Sequence, residues 1–515
     1  MSSEPEKRAP AETEIDAASG SHALEGENEL TDTKGHGHFD AAADFLRLHA
    51  AEYGDITEQE IKNVLWKIDL RMMPLMLKIV ISNAALYGMT TDLGLAGTLY
   101  SWTGSIFYFG YLVSLSSEYP SNILIQKFPV GKVLGISCII WSALVTLMGA
   151  TYSAPPMMVL RFLMGVFEAP IFPCCSVITV MWYKKKEQPL RTAIWFSGFS
   201  SLITGIVSYG LGNTNTSVAS WRLLFIVLGG FTFLWSIFIT IFLPDSPVRN
   251  KFLNEREKYI AVLRIKENMT GTENREIKWY QIKEALTDWK TWPLLIFTIC
   301  INVPNGGLVT FAAQIVSGLG YSKLTTTLLG MPTGLFMTFG AWMVAIPAYF
   351  LRNCRCLLAG ISVLVPLVCC VLMMKLDRAD KNGLLAAYYC FYFYWASYPT
   401  VIALTYANTA GHTKKTTVNA LMFIGYCVAN IIAPQFFIST EAPGYKTGYN
   451  AILGFLVVAI FMLAIYAVGI QWEINKQAKR EAELRAAGVD IEAEREAEMM
   501  LDTTDREKKF FTYIY

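Results

Sequence analysis

An all-α membrane protein, with twelve transmembrane helices in two six-helix bundles, is the fold class the sequence predicts. Three observations carry it. Twelve long apolar stretches fill residues ~72 to ~470, each near the 18 or more residues a helix needs to cross a hydrocarbon core of about 30 Å. They form two groups of six, separated by a charge-rich stretch from Pro244 to about Lys290. Only 17% of the chain is charged and 53% is hydrophobic, where a soluble chain carries nearer a quarter charged residues. Backbone groups in lipid must bond within their own segment, so apolar stretches of this length become helices. A six-plus-six pattern is that of transporters built from two related halves with a site between them.

Residues 1–56 read as a disordered cytoplasmic tail, because the first ~40 are polar and lack hydrophobic periodicity. No cleavable signal peptide is expected. Thr57-Glu-Gln-Glu60 fits a capping box. It opens an amphipathic helix through Ile61, Val64, Leu65 and Ile68 to Arg71, expected at the inner membrane surface. The spans read as 73–91, 99–126, 132–151, 155–182, 191–211 and 221–243, then 292–319, 324–351, 356–376, 383–410, 416–439 and 449–471. This divides the chain into residues 57–243, a cytoplasmic linker over 244–290, a second bundle over 291–471 and a cytoplasmic tail over 472–515. Residues 473–502 alternate Glu, Lys, Arg and Ala, as a solvated helix does.

Lysine and arginine in short loops set the orientation. Loops after even-numbered spans hold Lys127 and Lys132, then Lys184, Lys185, Lys186 and Arg191, then Arg352 and Arg355, then Lys414 and Lys415. The loops after the first and third spans hold none, whereas Lys375, Arg378 and Lys381 go against the trend beside Asp377 and Asp380. The balance puts both termini and the linker in the cytoplasm, with the plasma membrane as the expected location.

The loop motifs resemble those of a known family. Pro120-Ser-Asn-Ile-Leu-Ile-Gln-Lys followed by Pro129-Val-Gly-Lys resembles the second-span and following-loop motif of the major facilitator superfamily. Arg161-Phe-Leu-Met-Gly165-Val-Phe-Glu168-Ala resembles its fourth-span motif. Trp182-Tyr-Lys-Lys-Lys-Glu-Gln-Pro-Leu-Arg191, Trp221-Arg-Leu-Leu-Phe, Leu243-Pro-Asp-Ser-Pro and Phe107-Tyr-Phe-Gly-Tyr111 look like the fungal anion:cation symporter branch, around the allantoate permease group. The resemblance covers about residues 58–475. It implies a major facilitator fold, alternating access, and often proton-coupled transport of small organic anions such as ureides, vitamins or carboxylated amino-acid derivatives. One departure stands out. The family's first span carries an acidic residue before its basic one, in a helix about ten residues longer. Here the run is Leu75-Met-Leu-Lys78-Ile-Val-Ile-Ser-Asn83, and 20 residues lie between Arg71 and Asp92, which at ~1.5 Å each only just span the core. Ser114-Leu-Ser116 looks like a small insertion. The two changes together fit a misread exon boundary or a degenerating gene.

A charge at the bilayer centre costs at least ~2.5–3.5 kcal/mol, so it usually has a partner and a task. Lys78, Glu118, Arg161 and Glu168 are such residues. Arg161 and Glu168, seven apart, share a helix face. On the functional reading Glu168 or Glu118 carries protons while Lys78 or Arg161 attracts an anionic substrate. On the structural reading the same charges hold the N-terminal bundle together or control gating. The second half has no acidic residue inside a span and offers amides and aromatics instead. Asn302, Asn305 and Gln314 lie on span seven; Tyr388, Tyr392 and Trp395 at helical spacing on span ten; Tyr426 and Asn430 on span eleven. They suit the uncharged part of a ligand, or else plain helix packing. Pro304-Asn-Gly-Gly307 is expected to break span seven as a hinge.

Several classes are excluded or disfavoured. The net charge of +1 argues against a nucleic-acid partner. The cysteines lie mostly within apolar stretches and read as small buried hydrophobes, not as disulfides or metal ligands. His36 and His38 sit in the tail. The sequence holds neither a phosphate loop nor a nucleophile–base constellation, so neither ATP-driven transport nor an enzyme is expected, and no cofactor. The leading expectation is a monomeric secondary transporter in the lipid bilayer that imports a small organic anion with protons. An exporter of a secondary metabolite with the same fold, and a non-transporting or degenerate copy, remain open from the sequence alone.

Overall fold

Helices account for all the regular structure among the described residues. The computed structural model describes Leu46, Tyr53 and residues 56–76, 87–95, 97–116, 128–184, 187–195, 200–214, 216–248, 250–265, 278–351, 353–486 and 503–515. Contacts separate Met1–Gly54 from Asp55–Tyr515, and every span lies within the second of these units.

Seven helices among the described residues are long and apolar enough to cross a membrane, and an eighth qualifies as a bent pair. They are spans three (Val130–Met148), four (Ala154–Trp182), six (Ser220–Phe242), eight (Lys323–Ala348), nine (Arg355–Lys375), eleven (His412–Phe436) and twelve (Lys446–Ala486), with span seven (Thr291–Ser317) as the bent one. The other four expected spans fall short for identifiable reasons. Span one is described only at its ends, Glu58–Met76 and the single turn Met89–Asp92. Span two is described over Leu99–Ser116. Span five is helical over Gln188–Trp195 and Ser200–Gly212. Span ten is Lys381–Phe391, a 3₁₀ segment at Tyr392–Ala396 and then Ser397–Ala407. The middle of the short first span, Ser117 to Lys127 and the tail histidines lie outside the described residues.

The capping box forms as the sequence predicts. Glu60 N–H donates to Thr57 Oγ1 at 3.3 Å and Thr57 N–H to Glu60 Oε2 at 3.0 Å, so each side chain satisfies a backbone donor of the other. The helix it opens packs into the body of the N-terminal half. Val64, Ile68 and Met72 are buried against Trp182, Tyr183 and the linker residues Leu253 and Ile260. Ion pairs ring that core: Arg191 binds Asp69 through two bonds of 3.2 and 2.8 Å, Arg264 grips Glu187 at 2.8 Å, and Arg256 reaches Glu60 at 3.1 Å. Residues of the Trp182–Arg191 motif thus tie the helix before span one and the linker helix Glu255–Ile265 to the N-terminal half.

Inside the spans, serine and threonine hydroxyls close on the preceding turn. Thr146 donates to Ser142 O at 2.9 Å. On span six Thr232 donates to Leu228 O, Ser236 to Thr232 O and Thr240 to Ser236 O, at 2.7 Å each. In an apolar surrounding this leaves none of these hydroxyl protons unbonded. Spans two and four meet backbone to backbone. A Cβ at Gly110 would lie 2.0 Å from Phe162 O, and one at Gly165 would lie 2.0 Å from Phe107 O. Small residues permit that approach, which is how helices associate tightly where no hydrophobic force drives them together.

Span seven is sharply bent next to the run expected to break it. The helix is continuous from Thr291 to Ser317, and the bend of 53° falls between Leu308 and Thr310, just beyond the Pro304–Gly307 run. Proline removes one backbone donor and crowds the preceding turn, and the buried neighbours Val303 and Leu308 hold the helix together around it. The two halves touch at the span ends that lie away from the linker. Tyr87 OH is 2.8 Å from Thr327 Oγ1, Tyr100 OH donates to Thr310 O at 2.6 Å, Ser201 to Met331 O at 3.1 Å, and Ser105 to Ile431 O at 2.6 Å.

The final residues are not a free tail. Thr504 caps a turn with Glu507, and Asp505 is fully buried against Lys414, at 2.7 Å, and Lys290. Lys414 also binds Glu284 at 2.8 Å and Asp288 at 2.7 Å. Asn408 exchanges hydrogen bonds of 2.6 and 2.9 Å with Ile514, and Arg355 N–H donates to Tyr515 O at 3.0 Å. None of the ten cysteines forms a disulfide.

Replacing Gly165 with alanine is expected to push spans two and four apart and to lower the amount of folded protein in the membrane by at least several-fold. Gly230→Ala, whose Cβ would meet open space, is the matched control, and fluorescence size-exclusion of detergent extracts is the measurement.

Candidate functional site

The close approach of spans two and four fixes the first part of the site. Gly110 and Gly165 bring the Phe107–Tyr111 segment against the face of span four that carries Arg161 and Glu168. Both charges are half-buried, and Tyr100, Tyr108 and Glu168 lie within electrostatic reach of Arg161. The Arg161 Nε atom is buried and has no hydrogen-bond partner among the described residues. Glu168 is held from span three, where Trp141 Nε1–H donates to its Oε2 at 2.9 Å. Trp141 is buried, so this neutral donor fixes the direction of the carboxylate without adding a charge.

The second part is an amide–tyrosine cluster of the C-terminal half. Asn305 on span seven donates from Nδ2 to Asn430 Oδ1 at 2.8 Å and accepts at Oδ1 from Tyr394 OH at 2.7 Å. Its Nδ2 also lies 3.4 Å from Tyr426 OH, and Asn430 Nδ2 donates to Tyr426 O at 2.7 Å. Asn305 and Asn430 are buried, and their mutual bond ties span seven to span eleven. Tyr426 is the member that faces the other half. Its ring meets Tyr108 edge to face at 5.9 Å and stacks on Tyr398 at 6.1 Å. Glu168 is within electrostatic reach of both Tyr108 and Tyr426. A polar path therefore runs from Trp141 and Glu168 through Tyr108 and Tyr426 to Asn305.

The span-ten stripe divides. Tyr388 and Tyr392 pair through their hydroxyls at 3.0 Å inside the C-terminal core. The α-helix ends at Phe391, and the tighter 3₁₀ turn changes the period. Trp395 packs at 5.1 Å against Tyr398, beside Tyr426. Gln314, also expected at the site, accepts from Tyr445 OH at 3.1 Å toward the end of span seven away from the linker. Asn302 donates to Thr298 O at 2.8 Å within its own helix. Lys78 and Glu118 lie outside the described residues. The structure thus brings Arg161, Glu168, Tyr426, Asn305 and Asn430 into one region, with Trp395 alongside.

Sequence reasoning passed over Tyr108, Tyr394, Tyr398 and Trp141. Tyr108 stood in the Phe107–Tyr111 motif and was available. Tyr394 points into the cluster only because of the 3₁₀ turn, and no periodicity of the sequence shows that Trp141 faces Glu168 across two spans. One group of carboxylates could suggest a metal: Glu284, Asp288 and Asp505. Lys414 Nζ lies within 2.8 Å of an oxygen of each, so its ammonium holds the place a cation would take.

Known proteins resemble the chain in sequence and, among solved structures, in fold. The Major Facilitator Superfamily profile matches residues 72–434. The chain belongs to the major facilitator superfamily. It is 34% identical to the allantoate permease of Saccharomyces cerevisiae, with 89% of this chain and 87% of that one covered. Similarity to an uncharacterised transporter of Schizosaccharomyces pombe is 36% over 89% and 88% of the two chains, and to the thiamine pathway transporter of Saccharomyces cerevisiae 31% over 88% and 86%. Among solved structures, the D-xylose–proton symporter superposes with a TM-score of 0.55 at 11% identity, over 78% of this chain and 97% of that one. A bacterial homologue of the human lysosomal transporter Spinster, inward-facing and occupied, gives 0.55 at 13%, over 80% and 96%. The fold is the major facilitator fold, and the protein is a multi-pass membrane transporter, not an enzyme.

Asn305→Leu is expected to destabilise the C-terminal half by about 1–3 kcal/mol for each polar group it strands, Tyr394 OH and the Asn430 amide. A lowered melting temperature of the purified protein, with Asn302→Leu as the comparison, is the measurement.

Proposed function

We propose that this transporter imports a small organic anion together with protons, by alternating access across the plasma membrane. The buried Arg161 Nε without a partner carries this reading. An unmet donor on a cation inside a membrane is costly to keep, and a substrate carboxylate supplies both the charge and the acceptor. In a region of low dielectric the attraction is far stronger than in water. Glu168 serves as the proton carrier, oriented by Trp141, with Glu118 as the second acidic group. Lys78 and Arg161 draw in the anion. Tyr426 and Trp395 meet its uncharged part, while Asn305 and Asn430 set the position of Tyr426, and Tyr388, Tyr392 and Gln314 brace the same half. The relative named allantoate permease supports a carboxylate-bearing substrate.

The cycle follows from the two halves. With the ends away from the linker joined through Tyr87, Tyr100, Ser105 and Ser201, access is from the linker side. Loss of a proton from Glu168 to that side restores its charge next to Arg161, which competes with the substrate for the guanidinium and favours release. The protein acts as a monomer, with both termini and residues 244–290 in the cytoplasm and bundles over 57–243 and 291–471.

The experiment is uptake into vesicles under an imposed pH gradient, with allantoate as the first of a panel of carboxylates. The wild type is expected to accumulate at least one carboxylate, Glu168→Gln to lose accumulation while keeping exchange, and Arg161→Ala to lose both. Movement of neutral or cationic compounds alone overturns the reading. Outward accumulation under the same gradient assigns export instead.

Topology has its own measurement. Protease added outside intact cells is expected to spare tags at either terminus and within 266–277, and cleavage of the linker tag reverses the orientation.

A further inference from the structure

The helix that leads into span one, Glu58–Met76, has sides that the protein satisfies and one that it does not. Val64, Ile68 and Met72 are buried against the N-terminal half and the linker. On the flanks Glu60 pairs with Arg256 at 3.1 Å, Lys67 with Glu257, and Asp69 with Arg191 at 2.8 Å. The remaining side carries Trp66, Leu70 and Pro74, whose four-residue spacing lines them up along one face. All three are exposed, Trp66 by 66% and Leu70 by 61%. A helix that spends its charges inward and turns Trp and Leu outward suits the headgroup boundary of a bilayer, where an indole places an apolar body and a polar tip at once.

Arg71 stands where this face meets span six. Its guanidinium lies over the ring of Phe242, 5.2 Å from the centroid, and Phe242 is itself exposed. The Arg71 Nε atom is buried and has no hydrogen-bond partner, and no carboxylate pairs with Arg71 among the described residues. The other charges of the helix without a partner among the described residues are Glu58 and Lys62, toward its far end, with Lys62 about 14 Å away along the axis. A guanidinium set between an aromatic ring and hydrocarbon needs an acceptor, and its planar fork fits the oxygens of a phosphate. One turn deeper, Leu75 and Met76 of the same helix and Trp235 and Ile239 of span six line an apolar cavity of about 40 Å³. The hydroxyls in its wall, Thr232 and Ser236, donate to their own helix at 2.7 Å, so the cavity suits methylene groups and not water.

We propose that this junction binds one anionic phospholipid of the leaflet on the linker side. Its phosphate sits on Arg71, its glycerol lies against Leu70 and Trp66, and one acyl chain runs past Phe242 and Ile239 toward the cavity. The order of the groups selects a lipid over a soluble anion: the cation and the exposed Trp come first, the Phe242 ring beside them, and the apolar walls one turn deeper. An acidic peptide would need further cations beside Arg71, and the exposed neighbours Leu70, Pro74 and Phe242 supply none. The site uses none of the charges assigned to transport and stands whether or not the substrate is an anion.

The test is native mass spectrometry of the purified full-length protein with phosphatidylglycerol or phosphatidylcholine of identical chains, the choline ammonium of the second balancing its phosphate. The wild type is expected to retain one phosphatidylglycerol about fivefold more tightly than phosphatidylcholine, the order one Arg supplies at an anionic surface. Arg71→Gln is expected to remove that preference and Lys62→Gln to keep it. Should Arg71→Gln fail to fold, a phosphatidylglycerol with a photoreactive group near the glycerol end of one chain is expected to label the wild type within 66–76 or 235–242. Equal retention of the two lipids by the wild type overturns the proposal, as does an Arg71→Gln protein that keeps the preference. So does an equal loss in Lys62→Gln, which would make the attraction a property of the whole surface. Labelling confined to other helices, or a dimer of the chain that Arg71→Gln dissolves, overturns it too.

Discussion

Spans two and four touch backbone to backbone, and the rest of the site depends on that contact. Gly110 faces the carbonyl of Phe162, and Gly165 faces that of Phe107, with room for hydrogen only. In lipid the gain comes from van der Waals contact at short range and not from excluding water, so a single methyl group removes much of it. The approach sets Tyr108 near Arg161 and Glu168. It also presents Tyr108 to Tyr426 of the other half. Without it the cation, the carboxylate and the tyrosines would be separate features on separate helices.

From there the polar groups form a graded series. Glu168 has a fixed neutral donor in Trp141. The amides of Asn305 and Asn430 satisfy each other and the hydroxyl of Tyr394. Arg161 keeps a buried donor unmet among the described residues. A membrane interior penalises an unmet donor heavily, which is why we read Arg161 as the group kept for a ligand. The inter-half contacts from Tyr87 to Ser105 join the two halves at the opposite ends of the spans.

Much of this was legible in the chain. The length and spacing of the apolar stretches forced helices, and Thr57 and Glu60 announced the cap that forms. The shared face of Arg161 and Glu168 followed from a seven-residue spacing. Asn305, Asn430 and Tyr426 stood out because amides and hydroxyls in lipid need partners. Other features were not legible. Trp141 lies 27 residues from Glu168, and neither helical periodicity nor loop length fixes how span three is rotated toward span four. The stripe Tyr388, Tyr392 and Trp395 assumed an unbroken α-helix, and the 3₁₀ turn at Tyr392–Ala396 sends Trp395 to Tyr398. Asp505 falls in a stretch, 472–515, that the sequence marked only as a tail.

The sequence by itself determined the class of solvent, the number and spacing of the long apolar segments, and which residue types would have to find partners within them. Those follow from local chemistry: apolar length and backbone satisfaction. Only the tertiary structure decided which partners they find. It set Trp141 against Glu168, Tyr394 against Asn305, and Asp505 between Lys290 and Lys414. Helix rotation, a local change of helical period and the docking of a distant segment depend on side-chain packing summed over many neighbours, and no stretch of sequence contains that sum.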